Sequence, residues 1–394
     1  MSQQPPPLPP QDADEPLFLE ESSFEEGGER IDDDKGRIFP CEGCGSDLVF
    51  HIQTQSLKCA HCGFEKAIGF SEDESIDEQD FYGMLVHLQE QREQQLDAGE
   101  EEEGEQEVRC ESCGATLMFV DTVTSSECPY CASPMQLENA HTSDKRVPVD
   151  AVLPFQIEQQ VARQNLRSWV KSLWFAPNEF VEKGAEGTFH GVYLPYFTFD
   201  SMTSTQYRGQ RGEYYYVTVG TGKNRRQVRR TRWYPASGEF QRFFDDVVIL
   251  ASRGLPRKLI RELEPFPMQL LVPFRHALLA GFTARTYDVE LEAGFGLGRE
   301  RIDSALYSDA CSRIGGDTQR IDSIQSQYDA ITYKHLLLPL WLMTYKYKDK
   351  LYQVAVNAAT GEVHGERPYS WVKIMLASLA AAVVGIGGFA LSQS

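Results

Sequence analysis

The N-terminus of this sequence lacks the basic start and the apolar stretch of a secretory signal. Disulfide frameworks belong to short secreted chains, so the nine cysteines are interpreted as reduced thiols of a cytosolic protein. Eight of them fall within two short stretches, and Cys311 alone lies elsewhere. We predict that Cys311 is a small apolar residue of a core.

Common catalytic motifs are also missing. The stretch "GTGK" near Lys223 lacks the first glycine spacing and the following hydroxyl residue of a phosphate-binding loop. The stretch "GFGLG" at residues 294–298 lacks the strand and the downstream acid of a dinucleotide site. Neither G-x-S-x-G nor H-E-x-x-H occurs. These absences predict that the protein is not an enzyme.

Basic residues are few: 38 Lys and Arg stand against 58 Asp and Glu, for a net charge of −20. Two segments hold the acidic excess, residues 1–36 with a net charge of −9 and residues 71–107 with −14. Both are poor in aromatic and β-branched residues, which predicts a disordered acidic tail and an acidic linker. The linker is expected to hold a short helix through "DFYGMLVHLQEQREQQL". Both segments are interpreted as solubilising spacers, and a specific acidic binding motif is the alternative.

Two closely similar cysteine motifs stand out among the residues that are present. They consist of Cys41, Cys44, Cys59 and Cys62, and of Cys110, Cys113, Cys128 and Cys131. In both copies 14 residues separate the inner cysteines, and apolar residues alternate with polar ones between them. This pattern predicts a short hairpin that brings one CxxC turn opposite the other. Gly45, Gly63 and Gly114 follow cysteines at places where a positive φ is easily adopted.

Four thiolates from two CxxC turns form a closed ligand set for a structural Zn²⁺ ion. We therefore predict two rubredoxin-like zinc ribbons, residues 37–70 and 108–147, with two zinc ions per chain. A redox dithiol would need a thioredoxin-like context that is absent, whereas the sequence does not distinguish zinc from iron. His51 and His61 are alternative ligands, interpreted as surface residues. Neither ribbon has the basic face that phosphate contacts require, so protein docking is predicted for the ribbons.

Residues 148–370 have the composition of a globular domain. Apolar residues predict one helix that ends before Pro177, and a second helix is expected through "VELEAGFGLGRERIDSALYSDACSRI". The stripe of the first helix is Val161, Leu166, Trp169, Val170 and Leu173. Strands are predicted in "GVYLPYFTFDSMTSTQYRG", "EYYYVTVG", "RRQVRRTRWYPA" and "LLLPLWLMTYKY". The order of these elements predicts an α+β domain with an antiparallel sheet.

Residues 208–242 carry nine basic and two acidic side chains, interleaved with aromatic residues. This composition is typical of single-stranded nucleic-acid grooves and of membrane-surface patches. We expect contact with anionic lipid at Arg225, Arg226, Arg229 and Arg230. Nucleic acid and the acidic segments of the chain itself are the alternative partners.

The C-terminal segment holds the one long apolar run. Residues 374–391 are 18 uncharged, mostly apolar residues, just enough to span the hydrocarbon of a bilayer. Together with Trp371, Arg367 and Lys373 at the near boundary, this run predicts a transmembrane helix over residues 371–391 that leaves the rest of the chain in the cytoplasm. A buried core helix is the alternative.

The stretches "WFAPN", "GVYLPYFTFD", "LLLPLW" and "VNAATGEVHGERPYSW" carry a resemblance that covers residues 37–391. The chain resembles bacterial membrane-anchored double zinc-ribbon proteins, often labelled primosomal protein N′ or replication-restart helicase-like. Their genes lie near those of SPFH-domain (stomatin-like) proteins. The resemblance implies that the eight cysteines are metal ligands and that a cytosolic SPFH-type partner docks at the bacterial inner membrane. The helicase label is not supported, because the nucleotide-binding loop is missing.

The sequence therefore predicts a multidomain, non-enzymatic scaffold: two zinc ribbons, an α+β domain and one transmembrane helix. The alternative is a nucleic-acid-binding zinc-ribbon protein linked to DNA replication or repair, without helicase activity of its own.

Overall fold

The computed structural model of the chain describes most of the sequence from residue 30 onward. The described ranges are 30–32, 36–70, 74–98, 106–109, 116–118, 125–127, 134–136, 140–142, 146–178, 189–222, 225–253, 255–347 and 350–392. Nearly all of the predicted acidic tail and the C-terminal end of the predicted linker, apart from residues 106 and 107, lie outside these ranges.

Strands make up most of the regular structure. In chain order they are β1 (Arg30–Asp32), β2 (Gly36–Ile38), β3 (Leu48–His51), β4 (Ser56–Cys59), β5 (Glu65–Ala67), β6 (Gln79–Asp80), β7 (Gln106–Arg109), β8 (Thr116–Met118), β9 (Ser125–Glu127), β10 (Pro134–Gln136), β11 (Ala140–Thr142), β12 (Ala151–Val152), β13 (Phe189–Val219), β14 (Arg226–Leu250), β15 (Val272–Pro273), β16 (Thr283–Arg285), β17 (Thr318–Tyr347), β18 (Lys350–Asn357) and β19 (Val363–Gly365). The helices are α1 (Phe81–Ala98), α2 (Gln159–Ser172), α3 (Arg257–Arg261), α4 (Leu291–Ile314) and α5 (Trp371–Ser392), with short 3₁₀ turns at Met268–Leu270 and His276–Leu279.

Three long strands organise the main sheet. The central strand β13 pairs antiparallel with β14 along one edge and with β17 along the other. Strand β18 extends the sheet beyond β17, and β12 and β16 add short parallel pairs with β17 and β13. The sheet is therefore almost entirely antiparallel.

The prediction of an α+β domain was wrong, because the described domain is mostly one large antiparallel sheet with few helices. The predicted strand "GVYLPYFTFDSMTSTQYRG" and all but the last residue of "EYYYVTVG" are parts of a single strand of 31 residues. Gly209 and Gly212 lie inside this strand and remain paired with β14 and β17. Residues that are common in turns thus continue the strand here, since both of its edges are already occupied.

The buried halves of β13 and β17 supply apolar side chains to both faces of the sheet. Val192 and Leu194 pack in one cluster with Leu336 and Leu338, while Tyr193 packs on the opposite face. This arrangement follows from the alternation of side chains along a strand. Two faces must therefore be covered, and the helices do this.

The two predicted long helices are confirmed and cover the sheet. Helix α2 buries Leu166 and Val170 of its predicted apolar stripe, together with Ala162, whereas Val161 of the predicted stripe is 40% exposed. Helix α4 approaches the sheet closely at two glycines, where a Cβ at Gly294 would lie 3.0 Å from the Phe197 ring. A larger residue there would push the helix away. The stretch "GFGLG" is thus explained by helix packing.

Part of the predicted linker packs on the sheet. The helix expected there is confirmed as α1, and the Asp80 carboxylate accepts a hydrogen bond of 2.5 Å from the Gly83 N–H at its start. Phe81 is buried, with its ring centre 6.1 Å from that of Phe199 and 4.9 Å from that of Phe295. Phe81 therefore attaches this part of the predicted linker to the core of the domain.

The predicted transmembrane helix at residues 371–391 was also wrong. In the part of the chain that the structure describes, no helix is long and apolar enough to cross a membrane. Two further predictions depended on this helix: the location in the bacterial inner membrane and the membrane attachment through the helix. Both are therefore wrong as well. A span of 18 residues is near the lower limit of about 17–25 for a bilayer, and this one is rich in alanine and glycine, which add little apolar surface.

Candidate metal centre

The first cysteine motif forms the predicted hairpin. Strands β3 and β4 pair antiparallel, and their register places Leu48 opposite Cys59. Each CxxC turn closes with a backbone hydrogen bond, from Gly45 N–H to the Cys41 carbonyl (2.8 Å) and from Gly63 N–H to the Cys59 carbonyl (3.1 Å). Gly45 and Gly63 have φ angles of 74° and 77°, which confirms the positive φ expected at both positions.

The hairpin brings four sulfur atoms together. The Sγ atoms of Cys41 and Cys62 lie 3.4 Å apart, those of Cys44 and Cys59 lie 3.5 Å apart, and all four lie within 4.8 Å of one another. A tetrahedral zinc ion with Zn–S bonds of about 2.3 Å requires sulfur–sulfur edges of about 3.8 Å. The four cysteines are therefore close enough to hold one metal ion, and their spacing fits a tetrahedral ion.

The surroundings of the centre favour the metal-binding thiolate form of Cys59 and Cys44 and disfavour that of Cys62. The Cys62 backbone N–H, 3.5 Å from the Cys59 sulfur, and then the Ser46 hydroxyl at 3.1 Å lower the pKa of Cys59 to about 5. The same hydroxyl lies 3.1 Å from the Cys44 sulfur and lowers the pKa of that thiol. For Cys62, the Phe64 N–H lowers the pKa, but the Cys41 sulfur and burial act against it and the pKa rises to about 12. A cation placed among the sulfurs would favour release of that remaining proton.

Ser46 is a residue of the centre that sequence reasoning missed. Its signal in the sequence is weak, because it lies two residues after a cysteine and has no counterpart in the second motif, where Ala115 stands at the equivalent position. A small hydroxyl residue next to a CxxC turn is the general feature that could have drawn attention to it.

The ribbon is seated on the main sheet. The Phe50 N–H donates to the Ala280 carbonyl (3.0 Å), and the Gln55 amide donates to the Phe155 carbonyl (2.9 Å). The Phe50 side chain is 5% exposed and joins a core cluster of the domain, with its ring centre 6.3 Å from that of Phe282. The metal centre therefore has a fixed position relative to the sheet, which the sequence did not predict.

The second cysteine motif lies outside the described residues. Its cysteines are Cys110, Cys113, Cys128 and Cys131. Described strands on either side of Cys110 and Cys113 join the main sheet, since β8 pairs with both β7 and β16. The second metal site remains a prediction.

The basic hairpin projects from the end of the sheet. We call residues 213–232 the arm; in it β13 and β14 continue as a pair after the pairing of β13 with β17 has ended at Gly212 and Thr318. The four arginines predicted to contact a partner all belong to the arm and are exposed: Arg225, Arg226, Arg229 and Arg230. They lie on a surface separate from the ribbon.

Four aromatic side chains form an exposed group that sequence reasoning did not predict; it named only Trp371, as a boundary residue of the predicted transmembrane helix. We call them the aromatic patch: Trp174, Phe175, Tyr369 and Trp371, which are 84%, 42%, 60% and 72% exposed. Two hydrogen bonds hold the segments together, from Ser370 N–H to the Phe175 carbonyl (2.7 Å) and from the Lys373 ammonium to the Ala176 carbonyl (2.8 Å). The stretches "WFAPN" and "PYSW" are the only signal in the sequence.

An acidic cluster lies where β13 is interrupted by a β-bulge. Carboxylate oxygens of Glu78, Asp200 and Asp245 lie within 4.8 Å of one another. Burial, and then the neighbouring Glu78, raise the pKa of Asp200 to about 7. The Lys334 ammonium lies 3.4 Å from Glu78 and 3.0 Å from Asp246, so a cationic side chain already occupies the cluster.

One histidine of β17, His335, is buried in the main sheet. His335 Nδ1 lies 3.0 Å and 3.1 Å from the carbonyl oxygens of Val147 and Pro148, so its N–H donates to the backbone. Burial lowers the pKa of His335 to about 4. The ring is therefore neutral at physiological pH.

Comparison with known proteins adds one relative. No family model matches the chain, and no solved structure matches it. The chain is similar to an uncharacterised protein, YdjG, of Bacillus subtilis (strain 168), with 26% identity over 353 residues. The match covers 89% of this chain and 94% of YdjG, so it extends over most of both proteins. The resemblance to double zinc-ribbon proteins stays a prediction.

Proposed function

We propose that this chain is a non-enzymatic adaptor that docks a protein partner on a rigid β platform. The observation that carries the proposal is the aromatic patch. Tryptophan and tyrosine dominate the binding energy of protein interfaces, because they bury a large area at low conformational cost. Trp174 and Trp371 are among the most exposed large apolar side chains of the described residues, yet the backbone that carries them is fixed by hydrogen bonds. A preorganised aromatic surface is suited to docking.

The metal centre supports an adaptor by its chemistry. Four thiolates leave no open coordination position for a substrate or for an activated water, so a tetrahedral zinc ion bound here is structural. We assign zinc to Cys41, Cys44, Cys59 and Cys62. The second motif, with the same inner spacing, is assigned a second zinc ion. When bound, the ion supplies folding energy to a ribbon that has little core of its own.

The partner class in this proposal is the SPFH-type protein that the family resemblance implies. The aromatic patch offers a complementary surface for an apolar helix or strand of such a protein. Arg367, whose guanidinium carbon lies 5.4 Å from the Tyr369 ring centre, and Lys373 give the patch a basic rim. Acidic residues around an apolar contact surface on the partner are therefore expected.

The test is direct binding between the full chain and a purified SPFH-domain protein of the same organism, measured by calorimetry. Changing Trp174 and Trp371 to Ala should weaken binding at least about tenfold, as expected for interface hot spots. Tyr82→Ala is the matched control, because Tyr82 is 60% exposed and lies on α1. Absence of binding would refute the partner class. Equal affinity of the tryptophan variant and the wild type would refute the assignment of the aromatic patch.

A further inference from the structure

The arm is a two-stranded hairpin that extends beyond the rest of the main sheet. Its pairs run from Glu213 opposite Arg232 to Val219 opposite Arg226. At about 3.4 Å per residue, the paired part extends about 24 Å past the end of β17. No side chain that the structure describes between residues 213 and 232 is buried. The arm therefore adds little to the core, and its length calls for another explanation.

The arm carries a positive charge that its described surroundings do not neutralise. Residues 213–232 hold six basic side chains, five of them arginine, and one acidic side chain. Arg225, Arg226, Arg229 and Arg230 form no ion pair with any carboxylate in the described part of the chain. The guanidinium group presents paired donors that match the oxygens of a phosphate. This charge is complementary to a polyanion.

Both faces of the arm combine arginine with tyrosine. Residues directly opposite each other in an antiparallel pair project from the same face. Arg230 stands opposite Tyr215 on one face, and Arg229 stands opposite Tyr216 on the other. The Arg229 guanidinium lies 4.2 Å from the Tyr214 ring centre, whereas Tyr216 is 64% exposed. A partner with both phosphates and flat aromatic groups would match each face.

We propose that the arm binds single-stranded nucleic acid, with its arginines on the phosphates and its tyrosines stacked on unpaired bases. Unpaired bases offer the π-faces that a duplex hides, and stacking of this kind tolerates any sequence. A flat anionic bilayer would reach one face of the arm at a time, but a flexible strand can follow both. This inference is independent of the proposed adaptor function, since it concerns a different surface.

The test is fluorescence anisotropy with the full chain and a labelled single strand of about 20 nucleotides of mixed sequence, as DNA and as RNA. Affinity should fall with salt, with a log–log slope of about −0.7 for each phosphate contacted. Changing Arg225, Arg226, Arg229 and Arg230 to Ser should raise the Kd at least about tenfold and make the slope shallower by about 3. Tyr216→Ala should raise the Kd about fivefold or more.

A matched control removes the same charge elsewhere. Arg167, Lys171, Arg257 and Lys258 are exposed and lie on α2 and α3, away from the arm. Their joint change to Ser should alter the Kd less than about twofold. An equal loss in both quadruple variants would show a general charge effect and overturn the proposal.

Three other outcomes would overturn it. They are tighter binding to a duplex of the same sequence, unchanged affinity in the arm variant, and capture by phosphatidylglycerol vesicles without affinity for the single strand. Circular dichroism and metal content check the fold of each variant. If the quadruple arm variant does not fold, Arg226→Ser and Tyr216→Ala replace it, and unchanged affinity in both overturns the proposal.

Discussion

Removal of the metal should destabilise the main sheet as well as the ribbon. Structural zinc contributes about 10–16 kcal/mol in small peptide sites, so the ribbon should lose its fold when a strong chelator extracts the ion. The Phe50 side chain would then leave the core cluster that it shares with Phe155, and the hydrogen bonds to Ala280 and Phe155 would be lost. A ribbon attached to the sheet through the polypeptide chain alone would not destabilise the sheet when it lost its metal.

The magnitude follows from these contacts. Burial of a phenylalanine that is 5% exposed stabilises by about 3 kcal/mol, and each of the two hydrogen bonds by about 1 kcal/mol. The sheet should thus lose about 5 kcal/mol on metal removal. For a domain of this size, that corresponds to a decrease in Tm of about 10 °C or more.

Differential scanning calorimetry of the metal-loaded and chelator-treated chain measures the effect. Phe50→Ala should lower the Tm of the loaded protein and reduce the further decrease on chelation, because the main link is already gone. Gln53→Ala, at the exposed tip of the ribbon hairpin, is the control and should behave as wild type. A sheet transition at the same temperature with and without metal would refute the coupling between ribbon and sheet.

Two further predictions concern metal content and pH. Elemental analysis should give two zinc ions per chain, and one in Cys59→Ser; a wild-type value of one, or iron in place of zinc, would contradict the assignment. The folded-state pKa of His335, about 4, lies below the unfolded value of about 6.5, so its contribution to stability is present above pH 6.5 and is lost as the pH falls toward 4. Between pH 7 and pH 5 the wild type should lose about 2 kcal/mol more than His335→Asn in urea unfolding, and parallel pH profiles would show that the histidine is not responsible.

Local patterns were enough to predict the ribbon hairpin and two long helices. The CxxC spacing, the alternation after Cys44 and the stripe through Leu166 each lie within about 20 residues. Over such a short segment, residues that are close in sequence are also close in space. The positive φ at Gly45 follows from the same local geometry. For this reason the sequence correctly predicted that four of the eight proposed metal ligands lie together, namely Cys41, Cys44, Cys59 and Cys62.

Contacts between distant segments were not predictable in this way. Phe50 has the period-two position of a ribbon core residue, and nothing near it indicates that its N–H donates to Ala280 or that its side chain joins the core cluster of Phe155. Phe81 stands among acidic residues whose composition is typical of a linker, although it packs on Phe199. The terminal apolar run has the composition of an anchor but not enough length or apolarity. For Phe50 and Phe81 the outcome depended on surfaces that lie far away in sequence.

The position of β13 between β14 and β17 dictates the order in which the chain can fold. Its partner β14 follows directly, but the pairs with β17 join residues more than 100 positions apart, from Gly212 with Thr318 to Phe189 with Met343. Such pairs are slow to form, because a long loop must close first. During synthesis the β17 edge of the first hairpin thus remains open until β17 itself has been made. An unpaired edge of this length is a template for aggregation, and protecting it at the ribosome is a requirement that this topology places on the cell.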